Sequence, residues 1–468
     1  MINVLYFALL IVHAVSVTFS IPGFGILGAS ALFFFYSYKK FKVRSNKTTA
    51  IVQLMCYSIP ISWRNIFGGE YGDLPISWFY ILGAILAIHL ISIRNDIKLS
   101  SSRFATAFIV FAVTLYSVIP LLNTNSTFFS QGVGQFIILT FHNIIILVAI
   151  MKGNILSKEN MTMIEKSYAT AGFIAAIGII TQYIVFKFGG TTIGLLDYYL
   201  NRQSFRFLFS DVSHATLYLA TTAFLSIQLM SKAEHGKLRL AIIPLVTLIG
   251  AAITSARTGL VVFFAVYMLY IFIEQKGFSK KLRAMILGVV GLYGAYSLFR
   301  IVRPQTDLAA ILTDSSSRGV GYEAALNLFY QHPWLGYGFS KDYLAQTMNQ
   351  PIPHLSFLQY MVHGGIVYTL MIFGVIFMAF IFARRYRMNV SWLILLTVLG
   401  TCLIPDIFST RYITLLMLLV FLKSREIDEP LRSDSPNSLP SSRIAGRNNL
   451  PGRIPTSNGI RVVKDHRL

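Results

Sequence analysis

Three side chains stand apart by type and setting: Arg206, Arg257 and His354. Arg257 sits in Thr254-Ser255-Ala256-Arg257-Thr258-Gly259, a tight turn between two apolar runs with almost no loop. Arg202 and Arg206 lie in Asn201-Arg202-Gln203-Ser204-Phe205-Arg206, just before another apolar run. On a helix they would share one face at i,i+4. A guanidinium is a planar fork that holds phosphate oxygens two at a time. Such a set suggests an anionic ligand, a lipid-linked phosphate or diphosphate. The plainer alternative for each arginine is a pair with a lipid phosphate or with a carboxylate such as Asp211. His354 follows Pro351-Ile352-Pro353 and opens an apolar run. Its imidazole can remove a proton from a hydroxyl at neutral pH. The plainer alternative is a hydrogen-bonded structural histidine.

The elements that must position these residues follow from composition. Hydrophobic residues make up 55% of the 468 and charged residues only 13%, about half the charge of a soluble domain. The mean hydropathy is +0.62. Apolar runs recur along almost the whole chain at lengths near the ~20 residues a spanning helix needs. They are continuous rather than alternating, and in lipid each backbone amide must be satisfied within its segment, so they read as helices. The expected fold is an all-α, polytopic transmembrane bundle of roughly 12–14 spans. Candidate spans lie near 3–19, 21–37, 48–63, 76–93, 104–122, 131–151, 166–186, 212–230, 239–255, 258–273, 284–300, 355–382, 390–405 and 411–423. The first has no basic leader and no small-residue cleavage site, so it reads as a retained helix.

The formal net charge of +21 could suggest nucleic acid. Its distribution excludes that, because most Lys and Arg fall in alternate short loops and in the tail, the pattern of cytoplasmic loops. Both termini are then expected in the cytoplasm. Ten cations fall on or near the opposite side: Arg64, Lys187, Arg202, Arg206, Arg257, Arg300, Arg303, Arg318, Lys341 and Arg411. An arginine at the membrane boundary is expensive unless it is paired or lines a wet cavity. Three regions are expected: a transmembrane domain over 1–423, a large outer loop over 301–354 within it, and a disordered basic tail over 424–468. In the loop, Arg318 to Tyr330 has helical periodicity, and Gly336 and Gly338 mark a turn. The tail is rich in Ser, Pro, Asn and Arg, a composition that does not build a core.

The remaining polar residues add little. His332 precedes Pro333 near the turn, and His363 with Gly364 and Gly365 lies about two turns beyond His354. His13, His89 and His142 fall inside apolar runs without a nameable partner. Asp211, Asp314 and Glu323 are outward carboxylates that nothing pairs as acid and base. Cys56 and Cys402 make neither a disulfide framework nor a metal spacing. No metal motif, phosphate loop or nucleophile elbow is present, so no cofactor is expected.

The order of features resembles one family. Arg206 precedes a span, Ser255-Ala256-Arg257-Thr258-Gly259 joins two spans, and a large outer loop follows. That loop holds Ser317-Arg318, Glu323-Ala-Ala-Leu-Asn327 and His332-Pro-Trp-Leu-Gly-Tyr-Gly338, and ends in His354-Leu-Ser-Phe-Leu-Gln-Tyr360. Over about residues 200–385 this resembles the O-antigen ligase and O-antigen polymerase (Wzy-type) superfamily of bacterial envelope enzymes. Leu355 stands where the family often has an amide, and Tyr368 where it has a glycine. The resemblance implies an inner-membrane glycosyltransferase that works on the periplasmic face on glycans carried by undecaprenyl diphosphate. It implies that Arg206 and Arg257 hold the diphosphate and that His354 activates the acceptor hydroxyl. Arg318 and Arg202 would be additional anion contacts. A polymerase would extend a lipid-linked repeat unit, with a chain-length regulator as a further partner. A ligase would transfer the glycan to lipid A-core. Ligases tend to have about a dozen spans, so the longer count leans towards polymerase.

Two readings of other classes compete. A transporter or flippase for an anionic lipid is also polytopic, but it places polar or broken segments near the midplane, whereas the cations here gather at the outer boundary. A non-catalytic scaffold would account for the tail but not for the outward arginines.

Overall fold

The computed structural model describes residues 1–69, 76–94, 100–199, 202–233, 237–302, 316–350, 352–404 and 406–423. The tail expected over 424–468 lies outside them, as do Arg303 and Asp314. The helices are α1 (Ile2–Thr18), α2 (Phe24–Arg44), α3 (Lys47–Ser58), α4 (Trp78–Ser92), α5 (Ser101–Tyr116), α6 (Val118–Leu122), α7 (Phe129–Met151) and α8 (Lys158–Gly189). A hairpin of β1 (Leu195–Tyr199) and β2 (Arg202–Phe207) follows. Then come α9 (Val212–Lys232), α10 (Lys237–Ile253), α11 (Thr258–Glu274) and α12 (Phe278–Val302). The chain continues through α13 (Ser316–Gln331), α14 (Lys341–Met348), α15 (Ser356–Arg385), α16 (Val390–Gly400) and α17 (Tyr412–Leu422).

The fold is an all-α, polytopic membrane protein. Each of the fourteen apolar segments coincides with a helix. Five helical stretches among the described residues are long and apolar enough to cross a membrane, and six more are apolar but shorter. The short ones have a packing role. At ~1.5 Å per residue, the 11 residues of α17 reach only about half of a ~30 Å hydrocarbon layer. Every residue of α17 is buried, which is why it is apolar all round. It packs against α3, α7, α15 and α16.

The contacts divide the helix ends into two sets. At one end, Lys152 donates to the Ile93 carbonyl at 2.7 Å, Lys232 to Asn389 at 2.7 Å, and Arg384 pairs with Glu274 at 2.9 Å. Lys423 donates to the Tyr386 carbonyl at 2.9 Å. These are loops that share the basic charge, and they meet one another. At the other end lie the hairpin, the α10–α11 turn and the long loop before α15.

That loop is docked by a break in a helix. Gly365 inside α15 has φ 78° and ψ 179°, a conformation that side chains resist. A Cβ there would run into the Trp334 carbonyl. The break frees the Val362 and His363 carbonyls, which accept from the amides of Tyr337 at 2.8 Å and Gly338 at 3.0 Å. In return the Ile366 amide donates to the Pro333 carbonyl at 2.8 Å. His363 completes the clasp: its Nδ1 donates to the Gly338 carbonyl at 2.6 Å, and its Nε2 meets Gln359 at 3.0 Å. His332-Pro-Trp-Leu-Gly-Tyr-Gly338 is thus a clip for the outer loop. Beyond it, Leu328, Leu344, Leu358 and Val362 form a separate apolar cluster that ties α13 and α14 to α15.

Candidate active site

The arginines of interest stand on two elements that touch. The hydroxyls of Ser204 on β2 and Ser255 in the α10–α11 turn are 3.0 Å apart. Ser204 and Arg206 are two residues apart on β2, where the pairing steps from Phe205 to Phe207 and leaves Arg206 at an irregularity of the register. Ser255 is likewise two residues before Arg257. The turn is held from α9 by the Thr254 and Thr216 hydroxyls at 3.1 Å. Gly259 lets α11 approach so closely that a Cβ would run into the backbone of Thr216. The hydroxyl-rich, glycine-ended sequence of the turn is therefore what seats half-buried Arg257 beside α9.

Arg206 corrects two expectations. It lies on a strand rather than a helix, and its acidic partner is Asp197 across the hairpin, not Asp211. Its Nη2 meets Asp197 Oδ1 at 2.5 Å, and its Nη1 donates to the Ser210 carbonyl at 2.6 Å. Its Nε has no partner among the described residues. The paired oxygens hold the guanidinium in one orientation. Arg202 opens the same strand, opposite Tyr199, and Arg318 lies in the first turn of α13. Both side chains fall outside the described residues. Of the other outward cations, Lys187 and Arg300 are exposed.

His354 lies two residues before α15. The Tyr322 hydroxyl of α13 donates to its carbonyl at 3.4 Å. Ser356 anchors the segment through its amide to Thr401 at 2.9 Å and its hydroxyl to Ile404 at 2.8 Å. Asp211 is the N-cap of α9, accepting from the amides of Ser213 at 2.6 Å and His214 at 3.2 Å. Burial works against its charged form. The positive fields of His214 and His354 and those two amides outweigh burial and hold the carboxyl below its ordinary range. Asp211 is therefore an ionised carboxylate at neutral pH.

A second cluster was not legible in the sequence. Asp406, between α16 and α17, is 1% exposed. It accepts from the Tyr360 hydroxyl at 2.6 Å and from the Phe408 amide at 3.0 Å, and Lys341 lies 3.7 Å away. Arg411 stacks over Trp63 and Tyr80, with centroid distances of 5.4 and 5.8 Å, a cation–π setting. The available signal was an acidic and a basic residue sharing the short segment between the last two apolar runs. Only the arginine drew attention. His214 links the clusters: the charges of Asp211, Asp406, Arg411 and Lys341 all reach it. It is buried, and neither ring nitrogen has a hydrogen-bond partner among the described residues. The histidines without a nameable partner each find a hydroxyl: His13 with Ser30 at 2.9 Å, His89 with Thr48 at 3.2 Å, His142 with Thr414 at 2.7 Å.

An all-α bundle with arginines seated on a short turn and hairpin, and a histidine at the end of a clipped loop, defines a polytopic membrane protein. Residues 242–373 match the family model described as O-antigen ligase, a match that supports the resemblance to the O-antigen ligase and polymerase superfamily. The match takes in Arg257, α13, the clip and His354, and leaves Arg206 outside. No curated protein matches the chain.

Proposed function

We propose that this chain is a membrane polysaccharide polymerase. It transfers an undecaprenyl-diphosphate-linked glycan onto a lipid-linked repeat unit in O-antigen, capsule or exopolysaccharide synthesis. The observation that supports this reading best is the contact of the Ser204 and Ser255 hydroxyls, which joins the strand that carries Arg206 to the turn that carries Arg257. The family match supports glycan transfer in general. The fourteen helical segments favour extension of a repeat unit over the ligase reaction onto lipid A-core.

In this mechanism Arg206 and Arg257 hold the diphosphate and neutralise the charge that grows on it as it leaves. His354 accepts the proton of the acceptor hydroxyl. The acceptor oxygen attacks the anomeric carbon in line, the carbon–oxygen bond to the diphosphate breaks, and the electron pair leaves with the lipid diphosphate. The anomeric centre inverts. The arginines supply the counter-charge themselves, so the step is written without a metal. The site faces the periplasm of the inner membrane, with both termini in the cytoplasm. The test is extension of isolated lipid-linked repeats by purified protein in liposomes, read as glycan length. Longer glycans are expected from the wild type and none from Arg257→Ala.

A further inference from the structure

We infer that the groove between α1 and α2 binds an anionic phospholipid from the leaflet next to the basic loops. One acyl chain lies along the groove, and Lys39 holds the phosphate. This site is separate from the one proposed for glycan transfer.

The groove follows from how the two helices meet. They form an antiparallel pair, fixed by the His13 and Ser30 side chains at 2.9 Å and by the Tyr6 and Phe33 rings, whose centroids are 5.5 Å apart. Two small residues, Ala8 on α1 and Ala29 on α2, leave a channel of about 540 Å³ over the buried Leu9 and Phe33. Among its lining residues only Tyr36 and Lys39 carry polar side-chain atoms, so it suits a hydrocarbon chain. The helical rise from Ala29 to Lys39 within α2 is ~15 Å, about half of a ~30 Å hydrocarbon layer. The groove thus has the depth of one leaflet.

The charge at its mouth selects the head. Lys39, Lys40, Lys42, Arg44 and Lys47 gather at that end, and the sequence shows no acidic residue before Glu70. In the other basic loops, Lys152, Lys232, Arg384 and Lys423 each meet a protein oxygen. Lys39 and Lys40 instead lie over the rings of Phe35 and Tyr36, 4.4 and 5.7 Å from the centroids. Neither meets a carboxylate among the described residues. Phe35 and Tyr36 both line the groove, so the Lys39 stem follows its wall while the ammonium stays available to a phosphate. The hairpin that carries Arg206 docks at the far end of α1. There the Gly194 amide donates to the Ala14 carbonyl at 3.1 Å and to the Thr18 hydroxyl at 2.7 Å. A polyprenyl diphosphate gripped by that hairpin would enter from the opposite leaflet, so Lys39 marks a different lipid.

Lys39 and Ala8 are both exposed, so Lys39→Gln and Ala8→Leu alter the groove and spare the core, which circular dichroism and gel filtration verify. Native mass spectrometry of the purified full chain then measures binding of phosphatidylglycerol and of phosphatidylcholine with the same acyl chains. The wild type should bind phosphatidylglycerol at least about fivefold more tightly, the factor expected of one lysine beside an anionic head. Lys39→Gln should bring the two lipids level by weakening phosphatidylglycerol alone. Ala8→Leu, which fills the groove, should weaken both several-fold. Equal affinities in the wild type, or an undiminished preference in Lys39→Gln, would overturn the inference. So would undecaprenyl diphosphate binding that Ala8→Leu weakens while phosphatidylglycerol binding stays unchanged, because the groove would then hold the donor tail.

Discussion

At the residue scale, the account turns on a few charges whose settings differ. Arg257→Ala and His354→Ala should abolish glycan extension, a loss of about a hundredfold or more, while membrane levels measured by immunoblot stay normal. Asp197→Asn is a gentler test. Its pair with Arg206 is partly exposed, with the two side chains 23% and 44% accessible, so stability should change by no more than about 1 kcal/mol. Loss of the oriented guanidinium should instead raise KM for the lipid-linked donor several-fold. Asp211 supplies a pH prediction. Its folded carboxyl titrates below the ordinary 3.8, so its contribution to stability is fully present above that value. The contribution is lost only as pH falls through the lower folded value. Melting at pH 7 and pH 5 should therefore show no loss from this group, and an activity loss across that interval belongs to histidine. The candidates Arg206, Arg257 and His354 were marked in the sequence by being cations or a base near the ends of apolar runs. The partners were not. Asp197 pairs with Ser204 in the hairpin and reaches Arg206 diagonally, a register that residue types alone do not reveal, and Asp406 hides in a short segment between two apolar runs.

At the element scale, two small residues position the elements that carry the candidate residues. Gly365 breaks α15 so that the clip can dock, and Gly259 lets α11 meet α9. Gly365→Ala combines a positive φ with a collision against the Trp334 carbonyl. It should destabilise the docked loop by roughly 1–3 kcal/mol, seen as faster proteolysis between α13 and α15 than in the wild type. Apolar length and continuity made the helices readable from the sequence, and the helix over Ser316–Gln331 follows the periodicity of that stretch. The hairpin over 195–207 was missed because Arg202 and Arg206 are equally well spaced to share a face on a helix or a strand. The role of Gly365 was missed too. A glycine in an apolar run reads as a packing residue, and only the clip's hydrogen bonds to Val362 and His363 reveal a break.

For the whole molecule, contacts among the basic loops gather them at one end, and the proposed site lies on the hairpin, the α10–α11 turn and the loop before α15. That arrangement gives the topology a direct test. A cysteine placed at exposed Glu323 on α13 should react with an impermeant maleimide added to the periplasmic side, whereas tags at either terminus should be reached only from the cytoplasm. The opposite labelling pattern would invert the orientation. Composition and charge distribution made the membrane class legible, because both are sums over the chain. The reaction is not such a sum, since a ligase, a polymerase and an anionic-lipid carrier can share the same hydropathy and the same basic loops. The measurement that separates them most directly uses purified protein in liposomes supplied with its lipid-diphosphate-linked repeat unit. The account predicts a ladder of longer lipid-linked glycans from the wild type and none from Arg257→Ala or His354→Ala. Lipid-linked units that cross the bilayer without any lengthening, or a ladder undiminished in the His354→Ala protein, would contradict it.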